Sequence, residues 1–201
     1  MLIYLIRHGQ TTWSISGQHT GITDLSLSQA GEDEALSLVP RLQGLDFAHV
    51  LVSPRQRARQ TCALAGLGTT ATTEPDLAEW DYGRYEGRRT DDIHKENPDW
   101  NIWRDGCPGG DSPITVSARA DRLLARIETM QGPVALFSHG QFGIVLAMRW
   151  IGLTVLEGRH FTLQTASLSL LASESPDRQL HTINLWNEQG NTLRAPPRAA
   201  A

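Results

Sequence analysis

Met1-Leu-Ile-Tyr-Leu-Ile-Arg-His-Gly-Gln-Thr11 is the stretch that decides the fold. No charged residue interrupts it before Arg7, so it has the composition of a fully buried central strand rather than of a half-exposed one. The run stops at Arg7-His8-Gly9, which leaves polar side chains at the carboxyl end of the strand, where open α/β sheets bind their ligands. An imidazole in that place can act as a covalent nucleophile. A phosphate ester, with a charge of roughly −2, resists such attack unless cations meet its oxygens. Arg7 offers a planar fork of donors beside His8, and Gly9 is expected to let the backbone pass close to a ligand.

Working outward, the same pattern recurs twice. Phe47-Ala-His-Val-Leu-Val52 reads as a second buried strand, and Ser53-Pro54 reads as the start of a helix carrying Arg55, Arg57 and Arg59. The free amides of its first turn would face the same rim as His8, and Arg57 is expected to reach the ligand. Pro133 to Ser138 is another buried strand that ends in His139-Gly140, followed by an apolar helix from Phe142 to Leu153. Ser28 caps a helix running to about Leu45, and apolar spacing places another helix over Thr115 to Met130. Thr12 to Asp24 reads as a long irregular loop beside the strand end. Ala166 to Ala172 and Gln179 to Trp186 alternate as a hairpin around Ser175-Pro-Asp-Arg178. Together these predict an α/β fold: a three-layer α/β/α sandwich with a mostly parallel central sheet and at least one antiparallel edge strand. One domain over 1–190 is expected, with 72–112 as a lid or substrate-wall insertion and 191–201 as a flexible tail.

Composition narrows the partners. Eighteen Lys and Arg against 22 Asp and Glu give a net charge of −4, and no basic run offers a footprint for nucleic acid or an anionic membrane. The N-terminus lacks a signal-peptide pattern and no stretch has the length of a membrane span, so a cytoplasmic protein is expected. Cys62 and Cys107 are read as free thiols. The seven histidines contain no pair at metal-ligand spacing, so no metal and no other cofactor is expected. The expected partner is a small phosphorylated molecule; self-association into a homodimer is the other partner allowed.

Between Thr72 and Gly110 the chain shows little periodicity. It holds Leu77-Ala-Glu-Trp-Asp-Tyr-Gly-Arg-Tyr-Glu-Gly87 and Trp100-Asn-Ile-Trp-Arg-Asp-Gly-Cys-Pro-Gly-Gly110. Aromatic and charged residues mixed with glycine suit a substrate wall, here Trp80, Tyr82, Tyr85, Trp100, Trp103 and Arg104, with Arg104 holding a second anion. The alternative is that the rings fill a satellite core. Glu79, between Ala78 and Trp80, is the candidate general acid, its carboxyl expected among aromatics that would raise its proton affinity.

These residues carry a resemblance. Leu5-Ile-Arg-His-Gly-Gln-Thr11, Ser53-Pro-x-x-Arg-Ala-x-x-Thr61, the run from Leu77 to Gly87, and Phe137-Ser-His-Gly140 resemble, in order and spacing, the four motifs of the histidine phosphatase superfamily, in its phosphoglycerate-mutase-like branch. Ser14 to Gly21, Glu79 to Gly87 and Asn101 to Cys107 are similar to sedoheptulose-1,7-bisphosphatase-like enzymes and small bacterial acid phosphatases of that branch. The resemblance implies a phosphate-accepting His8 flanked by Arg7, with Arg57 and His139 completing a cationic pocket and Glu79 as proton donor. It places Gly9, Ser14, Thr20, Gly21 and Gly140 around the substrate, together with Trp80, Tyr82, Trp103 and Arg104. Mutases of the family have asparagine where Ser14 stands, and arginine and histidine where this chain has Trp80 and Asp81. Hydrolysis of small sugar or polyol phosphates is therefore expected. A phosphoglycerate mutase and a non-catalytic phospho-ligand binding module are the alternatives.

Overall fold

The computed structural model describes residues 1–173 and 180–190. Its first strand, β1 (Leu2–Arg7), is interior to a six-stranded sheet, as its unbroken apolar run requires. In chain order there follow α1 (Thr12–Ser16), α2 (Gln29–Leu36), α3 (Val39–Leu42), β2 (His49–Val52), α4 (Gln56–Leu64) and β3 (Ala71–Thr73). Next come α5 (Thr90–Glu96), α6 (Ile102–Asp105), α7 (Pro113–Ile127), β4 (Val134–Ser138), α8 (Gly140–Trp150), β5 (Leu168–Ser173) and β6 (His181–Glu188).

The strand order is β3-β2-β4-β1-β5-β6. β1 runs parallel to β4, β4 to β2 and β2 to β3, whereas β5 is antiparallel to β1 and to the edge strand β6. Alternation along β1 sorts its side chains between two cores. Ile3 and Leu5 join Leu136 and the inner faces of α7 and α8, while Ile6 and Phe137 meet Leu38, Leu42, Ala58 and Cys62 on the other side. The result is the expected α/β/α sandwich. The chain after β1 passes through α1 and α2 to set Leu38 and Leu42 in one core, whereas the chain after β4 goes directly into α8 in the other. Such a divergence opens a crevice at the strands' carboxyl ends.

Several local expectations need correction. Thr12 to Asp24 is not all loop, because Thr11 and Ser14 form a reciprocal capping box that starts α1. Ser28 caps α2 as expected, but the helix does not run to Leu45. It stops at Leu36, since Pro40 lacks an N–H and its ring would meet the carbonyl one turn back, and α3 forms separately. Helix α4 begins at Gln56 rather than at Pro54, and Ser53 turns its hydroxyl to His139 instead. The three-residue strand β3 is too short to leave a pattern in the sequence. The segment 72–112 is stitched into the main core through Leu77, Trp80, Ile93 and Trp100, so these rings are packing as in the alternative reading, but in the main core and not in a satellite one. Both thiols are free and buried, and burial pushes each up to about 12. The turn expected around Ser175 and the tail from Asn191 lie outside the described residues.

Candidate active site

The parallel register that sets Arg7 opposite Ser138 makes His8 and His139 leave the sheet side by side. The His8 amide donates to the Ser138 carbonyl at 3.0 Å, and the two imidazoles meet edge-on with centroids 5.1 Å apart. Hydrogen bonding fixes how each ring carries its proton. His8 Nδ1 lies 2.7 Å from the Gly9 carbonyl, which can only accept, so the proton is on Nδ1 and the lone pair on Nε2. At His139 the order is reversed. Arg57 Nε donates to its Nδ1 at 3.2 Å, so Nε2 carries the proton and donates to Ser53 Oγ at 2.7 Å. Burial first, and the positive charges of Arg57 and Arg7 second, hold both imidazoles well below the usual histidine range. His139 is thus neutral, a correction to the expectation that it adds charge to the pocket.

Beside His8 opens a cavity of about 400 Å³, within the range of small-molecule sites. Arg7 lines it. One Nη donates to the Leu163 carbonyl, and its buried Nε has no hydrogen-bond partner. Gly140 gives the guanidinium room, for a Cβ there would stand 3.2 Å from Cζ. Glu79 also lines the cavity, though its surroundings differ from expectation. Its carboxyl is held by backbone amides rather than by rings, accepting from Trp80 N at 2.8 Å, Phe142 N at 2.7 Å and Gln141 N at 3.1 Å. The last two are orphan donors at the N-terminus of α8, so a side chain remote in sequence caps that helix.

Of the other expected residues, Ser14, Thr20, Tyr82, Trp103 and Gly140 line the cavity. The Ser14 hydroxyl, however, is engaged in capping α1, bonded to the Thr11 amide and carbonyl. Arg57 is 0% exposed and stands behind the imidazoles. Besides His139 it donates to the carbonyls of Thr20, Gly21 and Thr23, and so acts as a strut between α4 and that loop. Gly9 and Gly21 are also outside the wall. Gly9 is required by the approach of α2, since a Cβ would lie 2.3 Å from the Gly31 carbonyl oxygen, and its amide donates to Thr61 Oγ1. Trp80 is fully buried with its indole N–H on the Asp111 carbonyl, so it is core and not wall. Arg104 is displaced too. Its side chain is 57% exposed and paired with Asp105 and the Asp99 carbonyl, because α6 turns it to solvent.

Sequence reasoning missed Trp13, Gln18, His19, Gln141, Phe161 and Gln164, which complete the wall. His19 lies within the quoted Ser14 to Gly21 run, so a signal existed. It stacks on Tyr82 at 4.5 Å, and burial lowers it to about 4. Phe161 to Gln164 carry no motif; they precede β5, whose pairing with β1 brings them near, and the Leu163 carbonyl accepts from Arg7. Among the described residues no group of three or more His, Cys, Asp or Glu side chains is placed to hold a metal ion, and no helix is long and apolar enough to cross a membrane.

The depressed histidines make stability depend on pH with a definite sign. Below about pH 6.5 an unfolded histidine takes up a proton that His8, His19 and His139 refuse in the fold, so the unfolded state binds more protons and is favoured. Their contribution is complete above that pH and is lost as pH falls from there towards the folded values. Thermal melts at pH 7.5 and 5.0 should show a clear drop in Tm at the lower pH. An unchanged Tm would contradict the buried neutral assignment.

Known proteins resemble this chain in sequence and fold. A sequence model of the histidine phosphatase superfamily, branch 1, matches residues 3–187. An acid phosphatase of Mycobacterium tuberculosis is 42% identical over 188 residues, which is 91% of this chain and 92% of that protein. A sedoheptulose 1,7-bisphosphatase of Saccharomyces cerevisiae is 36% identical, covering 75% of this chain and 68% of the relative. A "Probable phosphoglycerate mutase" of Escherichia fergusonii is 30% identical over 83% of this chain and 82% of its own length. In three dimensions, the solved product of an open reading frame from Mycobacterium tuberculosis superposes with a TM-score of 0.87 at 37% identity, covering 94% of this chain and 98% of the other.

Proposed function

Because the chain belongs to the histidine phosphatase superfamily, branch 1, we propose that it hydrolyses phosphate monoesters of small sugars or polyols through a phosphohistidine on His8. The observation that carries this reading is the His8 tautomer. The Gly9 carbonyl holds the proton on Nδ1, which leaves Nε2 as an unprotonated nucleophile on a residue of the cavity wall. Arg7, with an uncommitted buried Nε, supplies charge to the phosphoryl oxygens. Nε2 attacks phosphorus, the ester P–O bond breaks, and Glu79 gives its proton to the departing alkoxide. Water then attacks the phosphohistidine, its proton passes to Glu79, and the P–N bond breaks to release phosphate. Burial first, and the charge of Arg57 second, keep the His8 ring neutral, while His139, held by Arg57, packs edge-on against it.

The names of the acid phosphatase and bisphosphatase relatives support hydrolysis, and the mutase relative supplies the rival. The two differ in product. Incubation with a panel of sugar and polyol phosphates should release inorganic phosphate in equal amount to the free alcohol. An isomerised ester without free phosphate would establish the mutase instead.

The role of Glu79 has its own signature. Glu79→Gln retains an acceptor for the α8 amides but cannot deliver a proton in the same way. Turnover of an alkyl phosphate should fall by roughly 10²- to 10⁴-fold, the usual worth of general acid catalysis. p-Nitrophenyl phosphate, whose leaving group needs little protonation, should lose far less. Equal losses on the two would make Glu79 a structural cap alone.

A further inference from the structure

The cavity carries its charge in few places. Among the described residues, Arg7 and Glu79 are the only lining side chains of the arginine, lysine, aspartate or glutamate type, and the proposed chemistry uses both. The remaining wall has neutral polar groups from Gln18, His19, Gln141 and Gln164, with the rings of Trp13 and Trp103 between them. His19, Gln141 and Trp103 also face an adjoining cavity of about 210 Å³, so the neutral wall continues beyond the first chamber. His19 adds no charge, since its half-buried ring stacks on Tyr82 and burial lowers it to about 4. Among the described residues no other arginine lines the cavity; Arg55, whose buried Nε has no hydrogen-bond partner, stands outside its wall, and three more are engaged elsewhere. Arg57 holds the Thr20, Gly21 and Thr23 carbonyls, Arg88 pairs with Glu96, and Arg104 faces solvent.

We infer that the site selects phosphomonoesters bearing one anionic group, whose remaining part is uncharged and rich in hydroxyls, and discriminates against bisphosphates and phosphocarboxylates built on the same carbon chain. This rests on the phosphomonoesterase reading and narrows it. A second phosphate or carboxylate would face a wall that, among the described residues, offers no cation beyond the Arg7 already used by the first phosphate. Hydroxyls meet the opposite situation. Amide side chains and a neutral imidazole both donate and accept, which matches a group that does the same. The indole rings pack against C–H faces of a sugar chain.

Matched substrates test this on the full-length protein, using fructose 6-phosphate against fructose 1,6-bisphosphate, and glycerol 3-phosphate against 3-phosphoglycerate. In each pair kcat/KM should favour the singly anionic compound by about tenfold or more, in line with the cost of leaving a buried polar group unpaired. Gln141→Arg, which brings a bidentate cation to the wall, should shift the bisphosphate ratio by about tenfold towards the bisphosphate. Equal or better use of the doubly anionic partners overturns the inference and leaves the phosphatase reading standing. A Gln141→Arg protein that melts like the parent yet shows an unchanged ratio overturns it as well. Failure to release phosphate from every compound, p-nitrophenyl phosphate included, defeats the phosphatase reading instead.

Discussion

His8→Ala should turn over phosphomonoesters at least roughly 10⁴-fold more slowly than the parent, with no phosphoenzyme formed. The neighbouring imidazole gives no rescue, close as it is. His139 has its Nδ1 lone pair occupied by Arg57 and its Nε2–H by Ser53, so it has no free lone pair to offer phosphorus without breaking a buried bond. His8 alone combines an open Nε2 with a place in the cavity wall. The check is to mix enzyme with labelled substrate, quench in base, and look for an acid-labile phosphoryl group that the parent acquires and the variant does not. Retention of even a tenth of parental turnover in His8→Ala would end the phosphohistidine mechanism.

Arg57→Met should be the most damaging change to stability around the site, costing about 3–5 kcal/mol. Methionine fills much of the volume but leaves the Thr20, Gly21 and Thr23 carbonyls and His139 Nδ1 without their donor in a fully buried place. The loop from Thr20 to Thr23 loses its strut, and Thr20 belongs to the cavity wall. Arg57→Lys should recover little, because a single ammonium cannot span four acceptors spread over a planar fork. Urea denaturation reads the loss directly. In either variant the imidazoles also lose a nearby guanidinium, and with Met the positive charge itself, so the acid limb of kcat/KM should move to higher pH, most clearly in Arg57→Met. A variant with parental urea midpoint and pH profile would show that Arg57 is not the strut described.

What can be read from the sequence follows physical rules that act locally. The unbroken run before Arg7 and the repeat of a strand ending in His-Gly are enough to place β1 and β4 in the interior and their histidines at one rim, because buried parallel strands and their carboxyl ends obey general constraints. Ser28 is legible as a cap because its signal is local. Arg104 and Trp80 defeat the reading for the opposite reason. Both sit in a segment without periodicity, where the direction of a side chain depends on packing against α7 and α8 and not on neighbours in the chain. Phe161 to Gln164 are invisible because their arrival at the site depends on the β1–β5 pairing. Gly9 stands out for the wrong cause: its small size serves the contact with Gly31, which the sequence spacing does not reveal.

The carboxyl of Glu79 ties catalysis to the fastening of a helix. The same two oxygens that hold the first amides of α8 are those proposed to release and recover a proton. A protonated carboxyl is a poorer acceptor for those amides than an ionised one, so each proton that it carries loosens the first turn of α8. Selection for a tighter cap and selection for faster proton delivery therefore pull on one side chain in opposite directions. Thermostable variants of this protein should gain their stability elsewhere, leaving this turn as weak as the chemistry needs it to be.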